Sequence, residues 1–236
     1  MEKVIVIWWL GYIGKILSDE IKKANMQAIV IDNNFLNLAN KNDKFINCDI
    51  LDKKRLDSIL EKHAKEASYI INLAAVVWDP ACLVDTRFAL QVNCVGTRNV
   101  MEVANKYNYK VIHASTCSLY WAENCSMENK LTEENHTFPI DFYWQTKYQQ
   151  ERFVQVFGND NCVFRLGTAY GWSPRMRYDL VINVFSWKAA NWEKITVFWG
   201  KQYRPFAHVR DISRAFIFAL QNNLKWESSI YYAQLQ

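Results

Sequence analysis

Three side chains in the middle of the chain could carry out acid–base chemistry: Thr116, Tyr143 and Lys147. Tyr143 and Lys147 are four residues apart, which places both on one face of a helix. A lysine ammonium beside a phenol stabilises the phenolate, so it lowers the tyrosine pKa from its usual value of about 10. The pair predicts a tyrosine base near neutral pH. Alone it is a weak signal, because any solvated helix face can carry this pair.

The position of Thr116 strengthens the interpretation. It follows an apolar run at residues 110–114 that is typical of a buried strand. Open α/β sheets bind ligands at the carboxyl ends of their strands. We therefore expect the Thr116 hydroxyl to lie at a ligand site.

Apolar strand-like runs alternate with helical segments along the chain, which favours a parallel sheet covered on both faces. The fold class predicted is α/β, a Rossmann-like doubly wound parallel sheet. The predicted strands are residues 4–7, 28–31, 44–48, 68–72, 110–114, 162–166, 195–198 and 229–232, and the predicted helices are 15–23, 53–63, 86–107, 178–190 and 211–221.

The first strand is followed by a turn at residues 8–14, and the second ends at Asp32, 18 residues after Gly14. An acidic residue at about this spacing contacts the adenosine ribose in dinucleotide-binding folds. Its charge would repel a 2′-phosphate, which favours NAD over NADP. An ordinary turn aspartate is the alternative, and the spacing favours the functional interpretation.

Composition narrows the class of protein. The net charge is only +4 for 236 residues and the lysines are scattered, so a nucleic-acid partner has little support. The six cysteines show no C-x-x-C spacing, which predicts buried reduced thiols in a cytoplasmic protein and no metal site. No segment is long and apolar enough to predict a membrane span, and the apolar start is interpreted as a strand and a helix.

Taken together, these motifs resemble the extended short-chain dehydrogenase/reductase family, in its NAD-dependent sugar-nucleotide epimerase/dehydratase branch. The order and spacing of the motifs carry the resemblance, which covers nearly the whole chain. They are the turn at 8–14, Asp32, Asp49-Ile50, Asn72-Leu73-Ala74-Ala75, Asn93, Gly96-Thr97, Ser115-Thr116, Tyr143, Lys147, Arg165-Leu166-Gly167-Thr168, Arg204-Pro205-Phe206 and His208-Val209-Arg210-Asp211.

The resemblance implies a role for each matching residue. Tyr143, helped by Thr116, would take a proton from a sugar hydroxyl while the carbinol hydride passes to NAD, and Lys147 would tune Tyr143. Thr168 and Arg204 would contact the nucleotide-sugar substrate. The implied NAD-binding residues are Gly11, Tyr12, Ile13, Gly14, Asp32, Asn33, Asp49, Ile50, Leu73, Ala74, Ala75, Asn93, Tyr143 and Lys147.

One departure narrows the chemistry. Dehydratases of this branch carry Asp-Glu directly after the catalytic threonine, whereas this chain has Cys117-Ser118. An epimerase or a ketosugar reductase is therefore favoured over a dehydratase.

A second departure is the ten tryptophans against seven glycines. Trp8, Trp9, Trp121, Trp144 and Trp172 fall where the family commonly has glycine, and Trp78, Trp187, Trp192, Trp199 and Trp226 are expected in turns. Two explanations remain open. The chain is a catalytically silent Rossmann-fold binding or assembly protein, with Trp8 and Trp9 blocking the cofactor site. Alternatively, its host reads UGA as glycine, which we favour because the catalytic residues survive.

The division of the chain follows from the same resemblance. We expect an NAD-binding Rossmann domain at residues 1–170, and at 171–236 a partial substrate-binding region interleaved with its last elements. The family commonly continues further, so a truncated C-terminal part is expected. A homodimer formed through the helices near 86–107 and 141–157 is also an expectation.

Overall fold

The computed structural model describes residues 2–8, 10–35, 37, 39, 43–120, 131–158, 160–197 and 204–224. Its centre is a six-stranded, all-parallel sheet with strand order β3-β2-β1-β4-β5-β6. The strands are β1 (Lys3–Ile7), β2 (Gln27–Asp32), β3 (Ile46–Asn47), β4 (Ala67–Asn72), β5 (Lys110–Thr116) and β6 (Cys162–Leu166). The Rossmann-like fold class is confirmed.

Helices cover both faces of this sheet. They are α1 (Tyr12–Lys23), α2 (Lys53–His63), α3 (Asp79–Val84), α4 (Thr86–Leu90), α5 (Thr97–Lys106), α6 (Phe142–Val156), α7 (Val181–Ala190) and α8 (Val209–Asn222). A π-helical segment, Gln91–Gly96, joins α4 to α5, and a 3₁₀ turn, Cys117–Tyr120, follows β5. Two short strands, β7 (Thr168–Tyr170) and β8 (Phe206–His208), form a separate parallel pair.

Side chains that point alternately to the two faces of the sheet form two hydrophobic cores, one on each face. In β1, Val4 and Val6 pack with α1 and α8, whereas Ile5 and Ile7 pack with α2 and α5 on the opposite face. Successive side chains of a strand point to opposite faces. Both faces are apolar because both are covered, which explains the continuous β-branched runs.

The strand order reverses between β1 and β4. The chain runs from β1 outward to β2 and β3, then returns to β4 on the other side of β1. The connections at this point diverge and leave a crevice at the carboxyl ends of the strands, where open α/β sheets bind ligands. The fold thus places the turn after β1, the end of β2, the loop after β4 and the end of β5 around one crevice.

Several sequence predictions need correction. Residues 195–197 have no regular secondary structure, so the strand predicted at 195–198 is wrong there, and Phe198 lies outside the described residues. The strand predicted at 44–48 is reduced to two residues at the sheet edge. Trp187 lies inside α7 rather than in a turn. The strand predicted at 229–232 and Trp9, Trp121, Trp199 and Trp226 also lie outside the described residues.

Among the described residues, none of the helices combines the length and the apolar character that crossing a lipid bilayer requires. Of the described cysteines, Cys48, Cys82 and Cys162 are buried, while Cys94 and Cys117 are partly exposed. The expected burial is therefore wrong for the last two.

Candidate active site

A cleft of about 1050 Å³ opens at the carboxyl ends of the sheet strands. Residues predicted at distant points of the sequence line it together, because the crossover brings their strand ends to one edge. These are Gly11, Tyr12, Ile13, Gly14, Asp32, Asn33, Leu73, Ala75, Thr116, Tyr143, Lys147 and Thr168. Asp49, Ile50, Ala74, Asn93 and Arg204 are not among the lining residues.

The turn after β1 leads directly into α1. Gly11 is the N-cap of this helix and has no side chain that could accept from the first-turn N–H groups. Unsatisfied N–H groups and the helix dipole make such an N-terminus favourable for a phosphate. The Trp8 indole lines the same cleft, and a Cβ on Gly11 would lie 2.8 Å from Trp8 Cδ1. The indole therefore packs against the Gly11 backbone.

Asp32 is almost fully buried at the end of β2. Its Oδ2 accepts from the Leu10 backbone N–H at 2.8 Å, and Oδ1 accepts from Asn34 N–H at 2.7 Å. Burial raises the pKa of this carboxyl, and these backbone hydrogen bonds oppose the rise. The carboxylate thereby holds the turn after β1 against the segment after β2.

The other side of the cleft holds the acid–base residues. Thr116 ends β5, while Tyr143 and Lys147 project from α6. Asp79 of α3 accepts from the Tyr143 backbone N–H through Oδ1 at 3.0 Å and so caps the start of α6. Lys147 is 3% exposed, and its Nζ donates to the Ala114 carbonyl oxygen at 2.8 Å.

The predicted effect of Lys147 on Tyr143 is wrong in this structure. Burial raises the Tyr143 pKa well above its usual value, and Arg177 is the group that opposes the rise. Burial lowers the Lys147 pKa to about 8, with Glu151 opposing. Lys147 is not among the groups that lower the Tyr143 pKa, and its ammonium donates to the Ala114 carbonyl instead. Spacing on the helix established a shared face but not this competing acceptor.

A buried ion pair fixes α6 against the sheet. Arg165 of β6 donates through Nη2 to Glu151 Oε2 at 2.8 Å, and both residues are nearly inaccessible to solvent. Arg165 also donates to the Tyr120 hydroxyl. The helix that carries Tyr143 and Lys147 is therefore held by charge-assisted hydrogen bonds as well as by packing.

Comparison with known proteins identifies the family. The chain matches the NAD dependent epimerase/dehydratase family over residues 5–231. It belongs to this family. The putative UDP-glucose 4-epimerase of Methanocaldococcus jannaschii is 26% identical over 96% of this chain and 75% of that protein.

Two solved structures share the fold. UDP-glucose 4-epimerase of Thermus thermophilus, in complex with NAD, has a TM-score of 0.83 at 21% identity, covering 98% of this chain and 77% of that one. UDP-N-acetylglucosamine 4-epimerase of Methanobrevibacter ruminantium, in complex with UDP-N-acetylmuramic acid, has a TM-score of 0.79 at 26% identity, with coverages of 93% and 73%.

In this member of the epimerase/dehydratase family, Asn93 does not line the cleft but positions the segments beside it. Its Oδ1 accepts from Val76 N–H at 2.7 Å, and its Nδ2 donates to Thr146 Oγ1 at 2.9 Å. Its carbonyl oxygen accepts from Gln150 Nε2 at 2.8 Å. Asn93 thus ties the loop after β4 to α6, beside the cofactor cleft.

Asp49 and Ile50 also lie behind the cleft wall. Asp49 Oδ2 accepts from Asn33 Nδ2 at 2.9 Å, and Ile50 is buried in the core next to α2 and α5. Asp49 therefore orients Asn33, which does line the cleft.

The two residues predicted to contact the substrate differ in their position relative to the cleft. Thr168 lines the cleft, and its backbone N–H donates to Pro205 O at 2.8 Å. Arg204 is not a lining residue, and burial lowers its pKa. Instead, Arg175 and Arg177 line the cleft, and Arg177 pairs with Asp179. The sequence signal for these two arginines was the short run at residues 174–177, which the motif comparison did not include.

Ser115 is a further residue that sequence reasoning did not assign. It lines the cleft one residue before Thr116, and its buried hydroxyl has no hydrogen-bond partner in the described structure. Such a hydroxyl is available to a ligand that enters the cleft. Among the described residues, no group of three or more His, Cys, Asp or Glu side chains is arranged to hold a metal ion.

Proposed function

We propose that this family member is an NAD-dependent epimerase that acts on a nucleotide-diphosphate sugar through a transient keto sugar. The observation that carries the proposal is the convergence of two sets of residues on one cleft. Asp32 and the Gly11–Gly14 turn lie on one side, and Thr116, Tyr143 and Lys147 lie on the other. Either set alone would be weak support.

The residues present fit NAD, except at one position. The Asp32 carboxylate at the end of β2 would meet a ribose, and the N–H groups at the start of α1 would bind a pyrophosphate. Ser115 leaves an unpartnered hydroxyl in the cleft. Among the described cleft residues, the Trp8 indole, which lies in the turn itself, is out of keeping with this chemistry. When bound, NAD would accept a hydride from the sugar carbinol and return it to the other face of the ketone.

The chain's own residues would move the proton and hold the substrate. Tyr143 would take the sugar hydroxyl proton, and the Thr116 hydroxyl would orient that oxygen. Arg177 favours the phenolate, because it is the cation that lowers the Tyr143 pKa. Arg175 and Arg177 carry guanidinium groups suited to a diphosphate.

The residues after Thr116 favour inversion or reduction over elimination. Cys117 and Ser118 line the cleft at the positions where dehydratases of the branch carry Asp-Glu. Without that acid and base, loss of water from the sugar lacks its proton donor and acceptor. A 4-ketosugar reductase remains compatible with the same residues.

A silent Rossmann-fold binding protein is the second candidate. The observation that favours it is the Trp8 indole, which lies in the cleft against Gly11. In that case Tyr143 and Lys147 would be remnants of ancestral chemistry. Trp9, the other residue proposed to block the site, lies outside the described residues.

The direct test has two measurements. The purified protein is denatured to release any bound nucleotide for chromatography, and it is then assayed for interconversion of UDP-hexose epimers with added NAD. Trp8→Gly is run in parallel, with Tyr143→Phe in each background to establish the blank. Tyr143-dependent interconversion would support the epimerase. If no variant contains bound nucleotide and none shows turnover, the epimerase proposal is overturned in favour of the silent protein.

The remaining predictions about the assembly stay proposals. Exposed apolar side chains on the α4–α5 segment and α6, among them Leu90, Val95 and Val156, support a homodimer through these helices. Light scattering on the purified protein tests it. We also propose the division of the chain into residues 1–170 and 171–236. The cytoplasmic location predicted from the cysteines likewise remains a proposal.

A further inference from the structure

Three tryptophans have backbone conformations that side chains strongly disfavour. The φ angles are +70° at Trp8, +80° at Trp78 and +57° at Trp192. Among the residues that the structure describes, the other non-glycine residues with positive φ are all asparagines, which tolerate this region. Trp78 is the extreme case, because its ψ of 132° places it outside the left-handed helical region altogether. Only glycine occupies such conformations without steric cost.

The indoles do not compensate for this strain by packing. Trp192 is 97% exposed and Trp78 is 50% exposed. A large apolar ring left in water contributes no burial to offset a strained backbone. The Trp8 ring is partly buried, but it packs against the Gly11 backbone inside the cleft.

At two of the three positions, Trp192 and Trp8, the place in the chain independently calls for glycine. Trp192 directly follows the C-cap of α7, and its N–H donates to Ala189 O. This site after a helix is most often glycine. Trp8 opens the turn after β1, where dinucleotide folds place their first glycine. Trp78 begins α3 in the loop after β4 and lines the cleft.

The glycine content of the chain also agrees with glycine at these positions. Seven glycines in 236 residues is far below ordinary usage. Counting the ten tryptophans as glycines gives 17, about 7% of the chain, which is the average glycine content of proteins.

We propose that residues 8, 78 and 192 are glycine in the protein as its native host makes it, because the codon at each position is UGA and that host reads UGA as glycine. Two indoles then leave the cleft, and position 8 becomes a glycine of the cofactor turn. The backbone inference stands independently, whereas the consequence for NAD binding rests on the proposed function.

The deciding observation is the codon at each of the three positions in the gene. We expect UGA at all three, and peptide masses from the native protein should show glycine there. UGG at these positions, or tryptophan in the native peptides, would overturn the proposal.

A recombinant comparison tests the physical argument. Trp8→Gly, Trp78→Gly and Trp192→Gly should each lower the unfolding equilibrium constant by roughly 5- to 30-fold, because each removes the steric penalty of a positive φ at a residue with a large side chain. Trp187→Gly is the matched control: it lies inside α7, where glycine is unfavourable, so it should raise that constant. Equal destabilisation by all four substitutions would overturn the proposal.

NAD binding then separates this inference from the proposed function. By calorimetry, Trp8→Gly should bind NAD at least about tenfold more tightly than the tryptophan form, an effect of about 1.4 kcal/mol. Stabilised glycine variants that still bind no NAD would support the present inference and overturn the proposed function.

Discussion

The cleft has two sides that can be compared. The nucleotide side consists of the turn after β1 and the end of β2, and the chemical side consists of the end of β5 and α6. On the chemical side, Thr116, Tyr143 and Lys147 are all present, and α6 is held by a buried ion pair. On the nucleotide side, Asp32 is present and well bonded, but Trp8 has a positive φ in the turn. Random decay would damage both sides, whereas the changes here are of one residue type at glycine-like positions.

The first prediction concerns how the chemical side is held. Arg165→Met leaves the Glu151 carboxylate buried without its cation, so the free energy of unfolding should fall by about 3–5 kcal/mol. Combining it with Glu151→Leu should recover most of the loss. Denaturant unfolding measures both variants. A loss no larger than that of Lys106→Met, which breaks a far more exposed pair with Asp57, would show that the buried ion pair does not hold α6.

The second prediction tests the chemistry of that side. Tyr143→Phe should lower turnover about a thousandfold, because the proton acceptor is removed while the ring remains. The measurement is the initial rate of sugar-nucleotide interconversion, beside NAD affinity, which should change little. Tyr148→Phe is the matched control, since Tyr148 lies on the same helix with an exposed side chain. Equal rates for the two variants would remove Tyr143 from the mechanism.

The third prediction concerns Lys147 and pH. Burial disfavours its ammonium in the folded state, and its pKa falls from 10.5 to about 8. Between these values the unfolded chain binds more protons, so stability should rise with pH by up to about 3 kcal/mol, and the penalty is fully present below pH 8. Lys147→Met should lack this rise in denaturant titrations, whereas the exposed Lys54→Met should keep it. Parallel pH profiles for Lys147→Met and the unmodified chain would contradict the burial argument.

The fourth prediction tests the nucleotide side. Asp32→Asn should weaken NAD binding by about 10- to 100-fold, because a charged acceptor facing the ribose is lost. It should be measured by calorimetry in the Trp8→Gly background. The exposed Asp19→Asn on α1 controls for a general charge effect. If both variants bind NAD alike, Asp32 serves only to hold the turn through Leu10 and Asn34.

The strands of the main sheet could be predicted because each is marked by a short run of apolar residues in the sequence. The β-branched run of β1 and the apolar runs of β4 and β6 were found within a residue or so, and α2 and β6 have the predicted bounds. The strand predicted at 195–198 is wrong over 195–197, because a short strand-like run does not by itself supply a neighbouring strand to pair with. The short strands β7 and β8 were missed for the complementary reason, since each exists only through the other.

By itself, the sequence determined the alternation of strands and helices in the main parallel sheet, and it predicted Asp32, Thr116, Tyr143 and Lys147 as site residues. Periodicity and spacing encode these features, because each depends on neighbours within a few turns of chain. Only the tertiary structure decided which residues line the cleft, replacing Arg204 with Arg175 and Arg177. Only the tertiary structure directs Lys147 toward Ala114, and only the structure shows the positive φ angles at Trp8 and Trp78. Competing hydrogen-bond partners and backbone angles at loop positions are set by distant segments that meet in space, and spacing along the chain does not record them.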